Sequence, residues 1–249
     1  MNQKFLSPKL AMQRRLKIIL FRFNFGLLCM RLVCVKPKLV FMGDSHAYFL
    51  SKNHKVMKKF SVDKSNILTI WLGPTLLYQI AEDGFSVDKQ MNKVLKLVKN
   101  VRLIAIILGE IDCRVHLVPK TLYRNDKEFF RIALNYKKSV IQFITDYGFE
   151  KAIIIAPYPP SDLGVDNPRF PRNGSISDTV LVTKKITKAL AEISSKSFIV
   201  VENSRELSNQ NGSLDRNYTE DGVHLNSQGC DLILDKINFE ISKIDSVNK

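Results

Sequence analysis

Short, fully apolar runs recur along the chain and alternate with longer amphipathic stretches. A run in which every residue is apolar is typical of a strand buried on both faces, as in a parallel sheet that helices cover on either side. We therefore expect an α/β protein with a single domain of three layers, α/β/α, and a mainly parallel sheet. The runs predict strands at residues 39–42, 67–72, 103–108, 152–156 and 198–201, in which Thr69 is the one polar residue.

Helices are predicted between these strands from apolar residues at helical spacing. In residues 87–99 an apolar residue recurs every three or four positions, as in a helix with one buried face. Residues 159–176 are rich in Pro, Gly, Asn and Asp, and residues 203–222 are polar, so both stretches are expected to be loops. The predicted helices are residues 47–60, 87–99, 129–145, 178–195 and 227–244.

The positive charge of the chain is concentrated at its amino-terminal end. The formal net charge of the 249 residues is +14, but residues 1–43 hold nine Lys or Arg and no Asp or Glu, which leaves 29 basic and 24 acidic residues elsewhere. We therefore separate a basic, partly apolar arm, residues 1–36, from a domain at residues 37–249. A basic arm attracts anionic lipids, polyanionic glycans or nucleic acid, or simply aids solubility.

The apolar part of this arm, residues 18–35, is a poor membrane span because Arg22, Asn24 and Arg31 interrupt it. Each Arg in mid-membrane costs about 2.5–3.5 kcal/mol. A signal peptide also fits poorly, since Arg22 breaks the apolar region and no small-residue cleavage site follows. A helix on the membrane surface fits better. We expect a cytoplasmic protein with peripheral contact to an anionic membrane, and no specific nucleic-acid partner because few aromatic residues are available for base stacking.

Polar clusters follow two of the predicted strands, and a third cluster lies in the last loop. They are residues 43–46, 109–114 and 221–224. Sites in open parallel sheets form beyond the carboxyl ends of the strands. A serine hydroxyl becomes a strong nucleophile only when a base takes its proton. Ser45 can supply the hydroxyl, His224 the base, and Asp221 the carboxylate that orients the imidazole.

Two of these clusters resemble sequence blocks of the SGNH (GDSL) hydrolase family. The segment VFMGDS, residues 40–45, is similar to the first block of the family. The segment DGVHLNSQG, residues 221–229, is similar to its last block, in which Asp-x-x-His supplies two members of a catalytic triad. The resemblance spans residues 39–244.

This resemblance implies a flavodoxin-like fold and a role for each residue. Ser45 would be the nucleophile, His224 the general base and acid, and Asp221 the orienting carboxylate. The oxyanion hole would use the backbone N–H of Ser45 and that of a second-block glycine, for which Gly73 is the candidate. One such donor is typically worth about 2.7–4 kcal/mol of transition-state stabilisation.

The third block departs from the family pattern. Gly-x-Asn-Asp is replaced by GEID, residues 109–112, so Ile111, which cannot donate a hydrogen bond, stands where the family has Asn. Arg114 could replace the Asn as an oxyanion donor, bind a sugar hydroxyl or an anionic group of the substrate, or pair with Glu110 or Asp112. The residues expected to line the substrate pocket are Asp44, His46, Glu110, Asp112 and Arg114.

The residues together predict a hydrolase of ester bonds that forms an acyl-enzyme on Ser45. A small-molecule or carbohydrate ester is expected as substrate, with O-acylated carbohydrate preferred by analogy with the family. Two alternatives stay open: an O-acyltransferase with the same triad, and a non-catalytic glycan- or membrane-binding protein that keeps the fold. Asp221 and His224 have no obvious third metal ligand, and the four cysteines include no C-x-x-C pair, so neither a metal nor another cofactor is predicted.

Overall fold

The computed structural model describes residues 23–50, 58–118, 126–163 and 171–246. Three predictions fall partly outside these residues. They are the arm before residue 23, the predicted helix 47–60 at its residues 51–57, and the predicted loop 159–176 at its residues 164–170.

The described residues form one six-stranded sheet. Its strands are Leu39–Gly43 (β1), Phe60–Val62 (β2), Ile67–Trp71 (β3), Leu103–Ile107 (β4), Lys151–Ile155 (β5) and Phe198–Val201 (β6). Their order is β2-β3-β1-β4-β5-β6, and every neighbouring pair is parallel except β2 with β3 at the edge. Without β2, this is the strand order of a flavodoxin-like doubly wound sheet. The predicted α/β fold with a mainly parallel sheet is confirmed.

Helices cover both faces of the sheet. Within the described residues they are 23–34 (α1), Ser45–Leu50 (α2), Leu77–Asp83 (α3), Lys89–Leu97 (α4), Asp126–Tyr147 (α5), Ile176–Glu192 (α6), Ser204–Leu207 (α7) and Ser227–Ser246 (α8). One core cluster joins the sheet to α1, α3, α4, α5 and α6, and a second joins it to α2, α7 and α8. Because strand side chains alternate, Val40 and Met42 enter the first cluster, and Leu39 and Phe41 the second.

Two helices begin at caps that the sequence carries locally. The Asp88 side chain accepts hydrogen bonds from the backbone N–H groups of Gln90 and Met91 at the start of α4. Ser175 and Asp178 form a capping box at the start of α6. Both helices agree with the prediction to within three residues at each end.

The predicted helix through residue 60 is wrong at its end. Phe60 lies in β2, where it pairs with Ile70 and buries its side chain. The strand has only three residues, so apolar periodicity cannot distinguish it from the end of a helix. The predicted loop 203–222 also contains α7 and a 3₁₀ turn at Arg216–Tyr218.

The sequence carries no local signal for α3. Leu76, at its N-cap, has no side chain that can accept a hydrogen bond. Instead, the two carboxylate oxygens of Asp112, far along the chain, accept the N–H groups of Leu77 and Tyr78 at 2.8 and 2.9 Å. These donors would otherwise lack a partner within the helix.

The helix α1 packs on the domain that follows it. Leu32 is buried, and Phe25 and Leu28 pack against the first core cluster. The guanidinium of Arg31 donates to the backbone carbonyl of Asp63 at 3.1 Å. Among the helices of the described residues, none combines the length and the apolar character that crossing a bilayer requires.

Gly43 ends β1 opposite Ile107 of β4, and this contact yields a test of the fold. A Cβ atom at Gly43 would overlap the backbone carbonyl of Ile107 and come within 2.9 Å of its Cγ2 atom. We predict that Gly43→Ala lowers the free energy of unfolding by about 2–3 kcal/mol, because overpacking forces the backbone to move. Denaturant titration measures the change.

Gly26→Ala is the matched control for this substitution. Gly26 lies in α1, and a Cβ atom there meets nothing within 4 Å. Alanine should therefore stabilise the protein, by up to about 1 kcal/mol. A Gly43→Ala protein as stable as the unchanged one would contradict the close approach of the two strands.

Candidate active site

The carboxyl ends of β1 and β4 border a crevice at one edge of the sheet. The strands are neighbours, yet the chain leaves them towards opposite faces: α2 packs in the second core cluster, whereas Cys113 and Leu117, after β4, belong to the first. Ligands of doubly wound sheets bind at such a switch point. Ser45, the first residue of α2, lies here and is half-buried.

Three side chains from the two ends of the sequence meet at this crevice. Nε2 of His224 lies 2.8 Å from Oγ of Ser45, and its Nδ1 lies 2.6 Å from Oδ2 of Asp221. With Nδ1 donating to the carboxylate, Nε2 is left to accept the hydroxyl proton of Ser45. The structure thus brings together the three residues predicted as a triad, in an arrangement in which the imidazole can take the proton of the serine hydroxyl.

The loop around Asp221 fixes the carboxylate and the imidazole together. Oδ1 of Asp221 accepts the backbone N–H groups of Val223 and His224 at 2.8 and 2.7 Å. Burial tends to raise the pKa of Asp221, but the hydrogen bonds from His224 and Val223 outweigh it and lower that pKa well below its usual range. Gly222 adopts a φ of 77°, the left-handed region that the tight turn requires.

The ring of His224 lies close to two other rings. Phe49 stacks on it with centroids 4.0 Å apart and an interplanar angle of 9°. The His46 ring is tilted to it, with centroids 5.1 Å apart. Phe49 was not predicted as a site residue, although its position four residues after Ser45 puts both on one face of α2. The stack restricts rotation of the imidazole.

A cavity of about 340 Å³ opens beside His224. It is lined by Phe49, Glu220, Asp221, His224, Leu225, Asn226 and Ser227. The lining combines carboxylates, polar side chains, the rings of Phe49 and His224, and one leucine. In the described part of the chain, no group of three or more His, Cys, Asp or Glu side chains is arranged to hold a metal ion.

Asp44 and His46, predicted to line the substrate pocket, face the protein interior instead. Both are almost fully buried. Oδ1 of Asp44 accepts the backbone N–H of His46 and lies 2.9 Å from its Nδ1, while Nε2 of His46 lies 3.1 Å from the backbone oxygen of Val223. Burial tends to lower the pKa of His46, but the Asp44 carboxylate more than offsets it and raises that pKa to about 9.

Asp112, also predicted to line the substrate pocket, binds backbone groups of the protein instead. Its carboxylate is buried and caps α3 through the N–H groups of Leu77 and Tyr78. Burial raises its pKa to about 6, opposed by these hydrogen bonds and reinforced by the negative charge of Asp44. We infer that Asp112 holds α3 in place rather than contacting a substrate.

Gly73, predicted to donate to an oxyanion, lies at the carboxyl end of β3. Its φ is 74°, and a Cβ atom would meet nothing within 4 Å. The N–H of Leu72 donates to the backbone oxygen of Gly43 at 2.7 Å, which ties this end of β3 to the end of β1. Gly73 therefore belongs to the same edge as Ser45, and its role as a donor stays a prediction.

Comparison with solved structures identifies the architecture. A protein provisionally described as an acylhydrolase from Bacteroides fragilis is 20% identical, with 88% of this chain and 95% of that chain covered and a TM-score of 0.56. A GDSL-like lipase from Bacteroides thetaiotaomicron is 17% identical over 89% of this chain and 98% of that chain, with a TM-score of 0.54. The chain has the SGNH hydrolase fold. The resemblance noted in the sequence is confirmed at this level.

A third structure has the same architecture. It is provisionally described as a platelet activating factor from Streptococcus pneumonia, and it is 16% identical, covers 94% of this chain and 99% of that chain, and has a TM-score of 0.54. No family model matches the chain, and no curated protein matches it in sequence. The likeness to SGNH hydrolases therefore lies in the fold and in short motifs.

The third block of this SGNH fold forms a helical turn that includes a π-helical stretch at Asp112–His116. Ile111 is nearly buried, and its side chain offers no donor. Of the roles considered for Arg114, the structure bears out pairing with Glu110: Nε lies 2.6 Å from Oε1 and a terminal nitrogen 3.1 Å from Oε2. Asp112, the other predicted partner of Arg114, accepts hydrogen bonds from the first turn of α3.

The Glu110–Arg114 pair yields a second test, because it is buried. The side chains are only 13% and 5% exposed. We predict that Glu110→Gln lowers the free energy of unfolding by about 3 kcal/mol, since it removes the negative charge of Glu110 beside a buried guanidinium. The matched control is Glu150→Gln, which removes the charge of an exposed carboxylate that pairs with Arg102 and should cost less than about 1 kcal/mol. Equal losses from the two variants would show that burial of the pair is unimportant.

Proposed function

We propose that the protein is a serine esterase or acylhydrolase that forms an acyl-enzyme on Ser45. The observation that carries this proposal is the chain of hydrogen bonds from Ser45 Oγ through His224 to Asp221, at 2.8 and 2.6 Å. A serine in a tight turn often only caps a helix. Here its hydroxyl faces an imidazole that a carboxylate holds, which is the arrangement of an activated nucleophile.

The reaction would proceed in two steps, acylation of Ser45 and hydrolysis of the acyl-enzyme. Ser45 Oγ attacks the ester carbonyl carbon as its proton passes to His224 Nε2, and His224 then returns that proton to the leaving alcohol. A water molecule attacks the acyl-enzyme in the second step, again losing its proton to His224, which restores Oγ–H on Ser45 as the acid leaves. Asp221 remains ionised and stabilises the imidazolium that forms in each step.

The negative oxygen of the tetrahedral intermediate needs hydrogen-bond donors. We assign the backbone N–H of Ser45 and that of Gly73 to this role, since both lie at the carboxyl edge of the sheet. The Ile111 side chain cannot contribute. Arg114 is engaged by Glu110, so a direct contribution from it would require that pair to rearrange.

The cavity beside His224, whose lining does not include Ser45, fits a small, hydroxyl-rich group of a substrate. Its volume of about 340 Å³ is at the lower end of the range for small-molecule sites. Glu220 and Ser227 can hydrogen-bond to hydroxyl groups, and Phe49 offers an apolar face to a ring. We therefore propose an O-acylated carbohydrate as the substrate class, with a sugar hydroxyl instead of water as acceptor in the transferase alternative.

Labelling and hydrolysis test the proposed function together. We predict that a serine-directed fluorophosphonate modifies Ser45, and that Ser45→Ala and His224→Ala each lower kcat/KM for aryl esters by about 10³-fold or more, because the two residues act as a unit. Rates measured on a panel from acetyl to long-chain esters show which acyl length the enzyme prefers. The same rates with added saccharide show whether the acyl group is transferred to a sugar or hydrolysed. Ser65→Ala, at an exposed serine in another part of the chain, is the control.

Absence of labelling, or labelling that His224→Ala leaves unchanged, would instead favour a non-catalytic binding protein. This alternative is supported by Ile111, which stands where the SGNH family has an Asn that donates to the oxyanion. Faster release of the acyl group to saccharide than to water would favour the acyltransferase.

We further propose that α1 contacts anionic membranes. Phe23, Leu27, Met30 and Cys34 point away from the core and are all exposed, Phe23 to 63% and Met30 to 58%. Spacings of three and four residues make them one apolar stripe along the helix. The opposite face of α1 packs on the core, so the stripe is available to a partner.

Charge complementarity points to the kind of partner. Residues 1–43 carry nine Lys or Arg and no acidic residue. A second copy of the chain would bring the same positive charge to the stripe, whereas anionic lipid headgroups attract it and the acyl region accepts the apolar side chains.

Vesicle sedimentation tests this surface. We predict that the double variant Phe23→Ser with Met30→Ser binds phosphatidylserine vesicles about tenfold more weakly, because less apolar area enters the lipid. Phe239→Ser is the control, since Phe239 is 60% exposed but lies on α8. Deleting residues 1–36 is a poor test because Leu32 belongs to the core. Equal binding of both variants, or a dimer that the double variant dissociates, would contradict membrane contact.

A further inference from the structure

His46 and Val223 form a second link between the two segments that carry the triad. His46 follows Ser45 in sequence, and Val223 precedes His224. Ser45 Oγ lies 2.8 Å from His224 Nε2, and His46 Nε2 lies 3.1 Å from the Val223 backbone oxygen. Two neighbouring hydrogen bonds thus join residues about 180 positions apart. The second involves no group that reacts.

The contacts of His46 require a proton on each ring nitrogen. A backbone carbonyl only accepts, so Nε2 must donate to Val223. Nδ1 faces Oδ1 of Asp44, which also accepts the backbone N–H of His46, so Nδ1 donates as well. A neutral imidazole has one N–H and could make only one of these bonds as donor.

The groups that face His46 are compatible with a positive ring. Asp44 and Glu110 contribute negative charge, and Asp44 is in direct contact. The Tyr158 ring packs edge-on at 5.3 Å, and the His224 ring lies at 5.1 Å. The pKa of about 9 for His46 agrees with this geometry.

We propose that His46 is a positioning residue, which holds the Val223–His224 segment against the Ser45 turn so that the base meets the nucleophile. The inference rests on the proposed function of Ser45 and His224, since it assigns what keeps them together. It also makes the site sensitive to alkali: when the His46 ring loses a proton, it can no longer donate to both Asp44 and Val223. The alignment of His224 with Ser45 should then loosen.

The pH dependence of kcat/KM tests this role. For the unchanged protein we expect activity to fall above about pH 9, with a midpoint near the pKa of His46. His46→Gln keeps an N–H near the position of Nε2 at every pH, so it should retain activity at pH 7.5 and lose the alkaline fall. His46→Leu has no donor and should lose about 10–100-fold at pH 7.5, as small misplacements of catalytic groups do.

Three results would overturn the proposal. They are an alkaline fall of equal midpoint in His46→Gln, a His46→Leu protein as active as the unchanged one, and equal losses in the Gln and Leu variants at pH 7.5. Thermal unfolding of each variant shows whether a loss of activity is a loss of fold. If His46→Leu does not fold, the comparison of His46→Gln with the unchanged protein across pH still decides.

A second readout separates this inference from the proposed function. If the unchanged protein neither hydrolyses esters nor is labelled at Ser45, the esterase proposal has failed. Amide hydrogen exchange of residues 219–225 still tests the link, since it needs no activity. Protection should be lower in His46→Leu than in His46→Gln at pH 7, and equal protection would contradict the link.

Discussion

The close approach of β1 and β4 at their carboxyl ends is the constraint on which the site depends. Because Gly43 has no side chain, the backbone of Ile107 can pack against it. The chain then leaves the two strands towards opposite faces and opens the crevice that contains Ser45. The bond from Leu72 N–H to the Gly43 oxygen adds β3 to the same edge. Three neighbouring strands therefore fix the backbone at the turn that carries Ser45.

Side chains with titratable groups near the crevice divide into an inner and an outer set. Asp44, His46 and Asp112 are buried, and each is hydrogen-bonded to backbone groups, because a buried charge without partners would be very unfavourable. The outer set, Asp221 and His224, is more exposed and borders the cavity. Residue type alone does not separate the two sets. What separates them is how far their side chains are buried.

The sequence was informative where a signal is local or recurs in a motif. Fully apolar strands reveal a sheet covered on both faces, and the Asp-x-x-His segment pairs Asp221 with His224 through a three-residue spacing. Contacts between distant segments leave no such pattern, so the capping of α3 by Asp112 and the link from His46 to Val223 could not be predicted. Phe49 is a case between these two. Its contact with His224 leaves no pattern in the sequence, but its position on a predicted helix, four residues after Ser45, could have placed it near the site.

The capping of α3 by Asp112 has a consequence for the order in which the chain assembles. A helix of seven residues is too short to be stable alone, and its first N–H groups find acceptors only after β4 has been made and the turn behind it has formed. During synthesis, the carboxylate that caps α3 is therefore added only with a segment more than thirty residues downstream. The nucleation of this helix is thus coupled to the formation of β4 and of the turn that follows it.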